Sequence, residues 1–395
     1  MSVRSLLFIS LSVSVAGAAL AQIENDPKEK EVIETAARPD SWFVEQVGGK
    51  RTMLDGQTLD VRLQYRLQQG YQADEAEAKA KPADTPQMTV DQAFADPKIV
   101  AAIRAEANQE WIRQTNPGPA LASVSDAQAA SRAGQPIRVR IYRPKAEGAL
   151  PVLVYYHGGG WVIGNIETID RSMRLLADLA KVIVVSVDYR LAPEHPYPAS
   201  WNDAEDAFDW TVANAAGLGG DKGRICVGGD SAGGNMSVVV TSRTRKAGKP
   251  APACQLLYYA AVDNRPVPEM RKDYLSARLF WQGFGLDVPF TEYVHRAVFP
   301  GMNLSQPEIS PIFADDIARM PPTLVAAAGF DPLRDSDRAY AAALRKAGVQ
   351  TTYLEYPSLR HGFLQHTRVT AEADRASRET AVAFGKLVRD IRPKR

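Results

Sequence analysis

The residues best placed to do chemistry are Gly229-Asp230-Ser231-Ala232-Gly233, which follow the apolar run Ile225-Cys226-Val227 and precede a helix-like stretch. A serine with glycine two positions to either side, between a strand and a helix, fits a sharp turn with no room for Cβ atoms around an exposed hydroxyl. The turn would aim Ser231 Oγ out of a sheet. It would also set the Ala232 N–H at a helix N-terminus, where unpaired donors and the helix dipole favour a developing negative charge. That is the chemistry of acyl transfer by a serine nucleophile. It makes two demands on the rest of the chain: further oxyanion donors upstream, and a carboxylate and a histidine downstream in that order.

Both demands are met. Residues 151–156 read as a buried strand running into His157-Gly158-Gly159-Gly160-Trp161. Three consecutive glycines are costly in any regular element, so their use is close backbone approach to a ligand with N–H groups turned inward. Residues 323–329 form another buried strand, closed by Phe330-Asp331-Pro332, and the strand over 352–357 leads through a loop to His361. Three aspartates compete for the acid. Asp331 ends a strand, where a side chain can reach an adjacent loop; Asp335 starts the following helix and could equally cap it; Asp263 follows the strand over 255–262. Among the other histidines, His195 lies before the elbow in a proline-dense loop with Asp188, Arg190 and Glu194, which suits a rigid ion-paired loop better than a proton shuttle. His295, among Phe290, Tyr293 and Phe299, reads as lining or packing a cap, and His366 as surface or helix. Five scattered histidines without Cys, Asp or Glu at ligand spacing predict no metal site, and no cofactor is implied.

The elements that must position these residues alternate strand and helix. Residues 137–142 alternate as an early antiparallel strand should, and 182–187 are continuous and β-branched, as in a doubly covered parallel strand. Helices are expected over 168–180 and over 201–216, the second with Trp201, Phe208 and Val212 inward. This rhythm predicts an α/β sandwich. The formal charge is +1 and falls to zero without residues 1–21, whose only charged side chain is Arg4, so nothing points to nucleic acid or an anionic membrane surface.

HGGGW at 157–161, DYRLAPEHPYPA at 188–199, GDSAGG at 229–234, SPIFADD at 310–316, DPLRD at 331–335 and HGF at 361–363 occur in that order. Together they resemble the hormone-sensitive-lipase family of α/β-hydrolases, also called family IV bacterial esterases, from about residue 136 to the C-terminus and more weakly over the preceding hundred residues. The resemblance implies an α/β-hydrolase fold: a mostly parallel central sheet with helices on both faces and a helical cap. It selects Asp331 as the acid, so the implied triad is Ser231, Asp331 and His361, and it implies that Gly159 and Gly160 join Ala232 in holding the oxyanion. The implied activity is hydrolysis of short-to-medium-chain acyl esters through an acyl-enzyme intermediate. One departure is Ser336, where many relatives carry glutamate, which puts a contact near the helix start in question but not the triad. The plant gibberellin receptors share the fold but lack the working histidine; His361 favours an enzyme.

Residues 1–21 place an apolar stretch after Arg4 and end Ala19-Leu20-Ala21, which reads as a signal peptide cleaved after Ala21 and hence an exported, periplasmic or secreted protein. Residues 22–135 are expected to form an N-terminal arm, extended or partly disordered to about residue 50, and then cap helices. Over 58–69 Leu59, Leu63 and Leu67 fit a helix face while Val61 and Tyr65 complete a strand-like alternation, and the resemblance, which implies cap helices here, favours helix. A linker or loose helix follows over 72–86, and a better helix over 91–115 with Phe94, Ile99, Ile103, Ala107 and Trp111 on one face. Residues 136–395 are the expected catalytic domain, interrupted at about 264–307 by an aromatic-rich insertion that would roof the pocket and limit acyl length. Cys226 and Cys254 lie on strands flanking the elbow helix; adjacent parallel strands rarely offer the Cβ geometry a disulfide needs, so two buried thiols are expected. The expected partner is a small-molecule ester, with no nucleic acid and no stable membrane insertion after processing, and a homodimer is compatible with the sequence.

Overall fold

The computed structural model describes residues 26–80 and 88–391, so the signal-peptide reading lies outside the described residues. The extended arm expected before residue 50 is instead two helices, α1 (Pro27–Ala36) and α2 (Asp40–Gln46). Asp26 caps α1 by accepting the Lys28 N–H at 3.0 Å, with Pro27 in the first turn. No apolar stripe holds α1 down. Buried Glu29 pairs with Arg171 at 3.1 Å and with Arg368, and Asp26 pairs with Arg113 at 2.6 Å. Charges that read as solvated are therefore docking contacts.

A two-residue hairpin, β1 (Met53–Leu54) and β2 (Gln57–Thr58), precedes α3 (Val61–Ala80), which absorbs the predicted helix and most of the predicted linker and buries Leu63 and Leu67. The helix expected over 91–115 is broken into α4 (Val90–Ala95) and α5 (Pro97–Gln114). Pro97 cannot continue the first helix, and Asp96 caps the second by accepting the Lys98 N–H at 2.8 Å.

The sheet and its helices follow: β3 (Ser123–Ala129), β4 (Ile137–Arg143), β5 (Leu150–Tyr156), α6 (Ile166–Ala180), β6 (Ile183–Val187), α7 (Ala199–Asn214), β7 (Gly220–Asp230), α8 (Ala232–Lys246) and β8 (Gln255–Tyr258). Cap helices α9 (Val267–Asp273), α10 (Leu275–Phe280) and α11 (Val288–Val298) intervene before β9 (Thr323–Phe330), α12 (Arg334–Lys346), β10 (Thr351–Arg360) and α13 (Ala371–Asp390). The eight strands order as β10-β9-β8-β7-β5-β6-β4-β3, parallel from β10 to β6 and antiparallel at β4 and β3. The sheet starts at Ser123, earlier than residue 136, because β3 pairs with β4 along an edge. Its polar Ser-Val-Ser-Asp-Ala-Gln-Ala sequence carries little apolar signal for a strand.

Side chains of a strand alternate between faces, and the central strands feed two cores accordingly. Val152, Val154 and Tyr156 of β5 pack with Trp201, Phe208 and Met236 on the side of α7 and α8. Leu153 and Tyr155 pack with Met173, Leu176 and Phe384 on the side of α6 and α13. Both faces of the parallel strands are thus covered, which is why their sequences read as continuous apolar runs. Among the described residues no helix is long and apolar enough to cross a membrane.

The expectation of two thiols is overturned: Cys226 and Cys254 form a disulfide, with Cα atoms 4.7 Å apart. Cys254 precedes β8 instead of lying inside it. Its carbonyl accepts the Val227 N–H at 3.1 Å, so the two residues meet where the ladder begins and side-chain direction is less constrained than in mid-strand.

Candidate active site

Each residue singled out for chemistry directly follows the end of a parallel strand: His157 after β5, Ser231 after β7, Asp331 after β9 and His361 after β10. The carboxyl edge of the sheet therefore gathers four segments far apart in sequence. At the elbow, a Cβ on Gly233 would stand 1.8 Å from the Tyr156 carbonyl oxygen and one on Gly229 would stand 2.3 Å from the Gly233 carbonyl carbon, so only glycine fits either position. Ser231 itself sits at φ 53° and ψ −116°, a region a non-glycine residue enters only when its surroundings impose it. Its N–H donates to the Tyr258 carbonyl at 2.9 Å and its carbonyl accepts from Ala261 at 3.1 Å, which holds the turn from both ends.

Ser231 Oγ lies 3.0 Å from His361 Nε2, and His361 Nδ1 lies 2.7 Å from Asp331 Oδ2. Asp331 is fully buried, and its other oxygen accepts the Leu333 N–H at 2.8 Å. A carboxylate facing Nδ1 fixes the proton there and leaves Nε2 to accept from the serine. The Tyr259 ring meets the imidazole edge-on at 4.9 Å between centroids. The competing acids are engaged elsewhere. Asp263 is buried against Arg265 at 2.8 Å and accepts the Tyr274 hydroxyl at 2.9 Å, while Asp335 accepts the Ser276 N–H at 2.8 Å and pairs with Arg334 at 3.0 Å. Ser336 Oγ donates to the Leu333 carbonyl at 2.7 Å, a local bond in the first turn of α12.

The glycine loop converges on the same point. Gly159 has φ 118°, and a Cβ there would stand 2.2 Å from the Ile163 carbonyl oxygen, so the loop requires glycine for both conformation and space. Gly159, Gly160 and Ala232 line one pocket with Ser231. The loop is braced from three directions. Asp230 accepts the Gly158 N–H at 2.9 Å, the Tyr155 hydroxyl at 3.0 Å and the Gln365 side-chain amide at 3.3 Å. Burial raises the Asp230 pKa despite these donors. Tyr189 stacks on His157 at 4.2 Å and donates to its carbonyl at 2.6 Å, and burial pushes the His157 pKa down to about 4. Arg104 of α5 reaches the Val162 and Ala192 carbonyls and forks onto Glu194, all at 2.8 Å. The loop over 188–199 is thus ion-paired, with Arg190 on Asp203 at 2.7 Å, and His195 is exposed on it.

The sequence reading assigned no role to Asp230, Arg104 or Tyr189; Asp230 occupies the variable place inside the elbow motif, where nothing local marks it. His366, read as surface or helix, ends a short 3-10 turn and is 4% exposed. His295 lines the pocket from α11, and burial lowers its pKa to about 4.

The pocket has a volume of about 160 Å³. Met270, Trp281, Leu286, Phe290 and Val294 of the cap insertion line its apolar side. Glu110, Trp111 and Gln114 of α5 line it together with Arg360, Gly362 and His366 on the side of the candidate histidine loop. The two halves of the cap join through Phe94 and Tyr293, 4.4 Å between ring centroids, and through Arg296 and Asp91 at 2.6 Å. Among the described residues no three His, Cys, Asp or Glu side chains stand together in a metal-holding group.

A family model described as the α/β hydrolase fold matches residues 153–365. The carboxylic ester hydrolase LipN of Mycobacterium tuberculosis is 38% identical over 324 residues, 80% of this chain and 80% of its own. The ethyl acetate hydrolase of Pseudomonas putida is 33% identical over 64% of this chain and 79% of its own. Among solved structures, the ester hydrolase EH1AB1 from the Lake Arreo metagenome superposes with a TM-score of 0.73 at 38% identity, covering 83% of this chain and 98% of that one. The metagenomic carboxylesterase EstE1 superposes with a TM-score of 0.68 at 32% identity, covering 74% and 98%.

Proposed function

The chain belongs to the hormone-sensitive-lipase-like branch of the α/β-hydrolase family and is a carboxylic ester hydrolase; from that premise we propose that it cleaves short-to-medium-chain acyl esters through a Ser231 acyl-enzyme. The observation carrying this reading is the continuous contact from Asp331 to His361 to Ser231, at 2.7 and 3.0 Å, ending at a pocket lined by Gly159, Gly160 and Ala232. His361 Nε2 takes the Ser231 proton as Oγ attacks the ester carbonyl, and Asp331 stabilises the imidazolium that forms. The N–H groups of Gly159, Gly160 and Ala232 hold the oxyanion; one such donor is worth about 3–4 kcal/mol to the transition state. The leaving oxygen takes the proton from His361. Water, deprotonated by the same imidazole, then releases the acid.

The proposed acyl range rests on the apolar cap side chains Met270, Trp281, Leu286, Phe290 and Val294, which line the pocket beside Ser231. Turnover of p-nitrophenyl acetate, butyrate, octanoate and palmitate tests both parts. Rates should peak at the short or medium esters and vanish in Ser231→Ala; a palmitate preference would overturn the acyl range, and undiminished Ser231→Ala activity would overturn the nucleophile.

The protein is also inferred to be exported, with cleavage after Ala21. The Cys226–Cys254 disulfide supports this, since such bonds persist in oxidising compartments. N-terminal sequencing of the protein from fractionated cells should start at Gln22; a cytoplasmic chain starting at Met1 would refute it.

A further inference from the structure

The pocket wall beside His361 contains a second histidine whose protonation is set by a chain of hydrogen bonds. Glu110 accepts from Arg66 Nη2 and from the side-chain amide nitrogen of Gln114. The Gln114 nitrogen therefore faces the carboxylate, and its oxygen faces His366 Nδ1 at 2.7 Å. An amide oxygen only accepts, so Nδ1 carries the ring proton. Burial, then the charges of Arg360, Arg66 and His361, push the His366 pKa well below the usual histidine range, so the ring stays neutral and Nε2 keeps a free lone pair.

Nε2 has no hydrogen-bond partner among the described residues, yet it is not among their sealed polar atoms. His366 is 4% exposed and is one of the residues that line the pocket. His361 must protonate the leaving oxygen, which places the alcohol half of a substrate on the side of the histidine loop, where His366 follows five residues later. A buried acceptor in a pocket wall is left unsatisfied by an alkyl group and satisfied by a donor. We propose that His366 Nε2 accepts a hydrogen bond from the alcohol half of the substrate, so that the preferred esters are those of hydroxylated alcohols. This deepens the serine-esterase reading and rests on it.

The test compares kcat/KM for 2-hydroxyethyl butyrate and its near-isostere propyl butyrate in the wild-type enzyme, His366→Leu and His366→Gln. His366→Leu should lower the hydroxyethyl-to-propyl ratio about tenfold, the usual worth of one net hydrogen bond. His366→Gln, which keeps an acceptor, should recover part of the ratio. Intrinsic differences in leaving-group reactivity cancel because the variants share them. An unchanged ratio, or an equal loss on both esters, overturns the proposal. If His366→Leu unfolds, the wild-type acyl-enzyme decides: ethylene glycol should capture the butyryl group about tenfold more effectively than 1-propanol, and equal capture overturns the assignment. Failure of the underlying reading looks different, since neither ester would then be turned over faster than by Ser231→Ala.

Discussion

Replacing Asp230 by alanine should injure stability and catalysis together, by amounts that follow from its three donors. The carboxylate ties the glycine loop through Gly158, β5 through Tyr155 and the loop after His361 through Gln365, at 2.9, 3.0 and 3.3 Å. Alanine leaves the buried Gly158 N–H and Tyr155 hydroxyl unpaired, each at a cost of about 1–3 kcal/mol. The Gln365 amide loses its partner as well, so the total is on the order of 3–6 kcal/mol, a large part of a typical folding free energy. The rate effect is separable: a loop freed to move by about 1 Å costs roughly a hundredfold in kcat. Denaturant melts of Asp230→Ala, alone and with Tyr155→Phe, would be read beside kcat/KM. The second substitution removes one orphaned hydroxyl and should return about 1–3 kcal/mol without restoring the rate, because Gly158 remains untied. Asp230→Asn keeps an acceptor for both Gly158 and Tyr155 and should lose less than tenfold in rate. Since burial raises the Asp230 pKa, ionisation works against the folded state, and the neutral amide should not lower stability at pH 7. Asp230→Ala within 1 kcal/mol and twofold of wild type would refute the bracing argument.

Other expectations concern the relay, the acid limb of stability and the disulfide. Asp331→Asn presents Nδ1 with a group that no longer fixes its proton, and kcat should fall by about 10⁴ with little change in Tm. His157 is buried with its pKa depressed to about 4, so its contribution to stability is fully present above about pH 6.5 and is lost as pH falls towards 4. Thermal melts across that window should therefore slope less steeply in His157→Asn, and an unchanged slope would exclude His157 as its source. Cys226→Ser with Cys254→Ser opens a loop with a sequence separation of 28 and should cost roughly 3–4 kcal/mol by chain entropy. Esterase activity at 25 °C should survive, because the bond lies where β8 begins and the site lies at the strands' other ends.

Much of the site could be read from the sequence because its constraints are local. The glycines around Ser231 and at 158–159 are there for lack of space, and the apolar run over 323–330 identifies the strand that ends just before Asp331. What escaped depends on residues far apart in the chain. Helix α1 is held by Glu29 against Arg171 and Arg368, partners separated by more than a hundred positions, so its own sequence looks solvated. His366 Nδ1 takes its partner from Gln114, and Asp230 its donors from Gly158 and Tyr155, all distant in sequence; neither residue has a local signature. The disulfide depended on where β8 begins, a boundary that hydrophobicity does not resolve to one residue.

Helix α5 bears on how this enzyme can be recombined with its relatives. The same helix gives Arg104 to the glycine loop, Gln114 to the wall beside His361 and a carbonyl, from Gln114, that accepts the Arg368 N–H at 2.9 Å. A chimera that exchanges only the insertion between β8 and β9 would set a foreign roof on a native wall and lose the Phe94–Tyr293 and Asp91–Arg296 junction. The transplantable module is therefore discontinuous, comprising α4, α5 and the α9–α11 insertion, and crossovers in directed evolution should be placed so that these segments are inherited together.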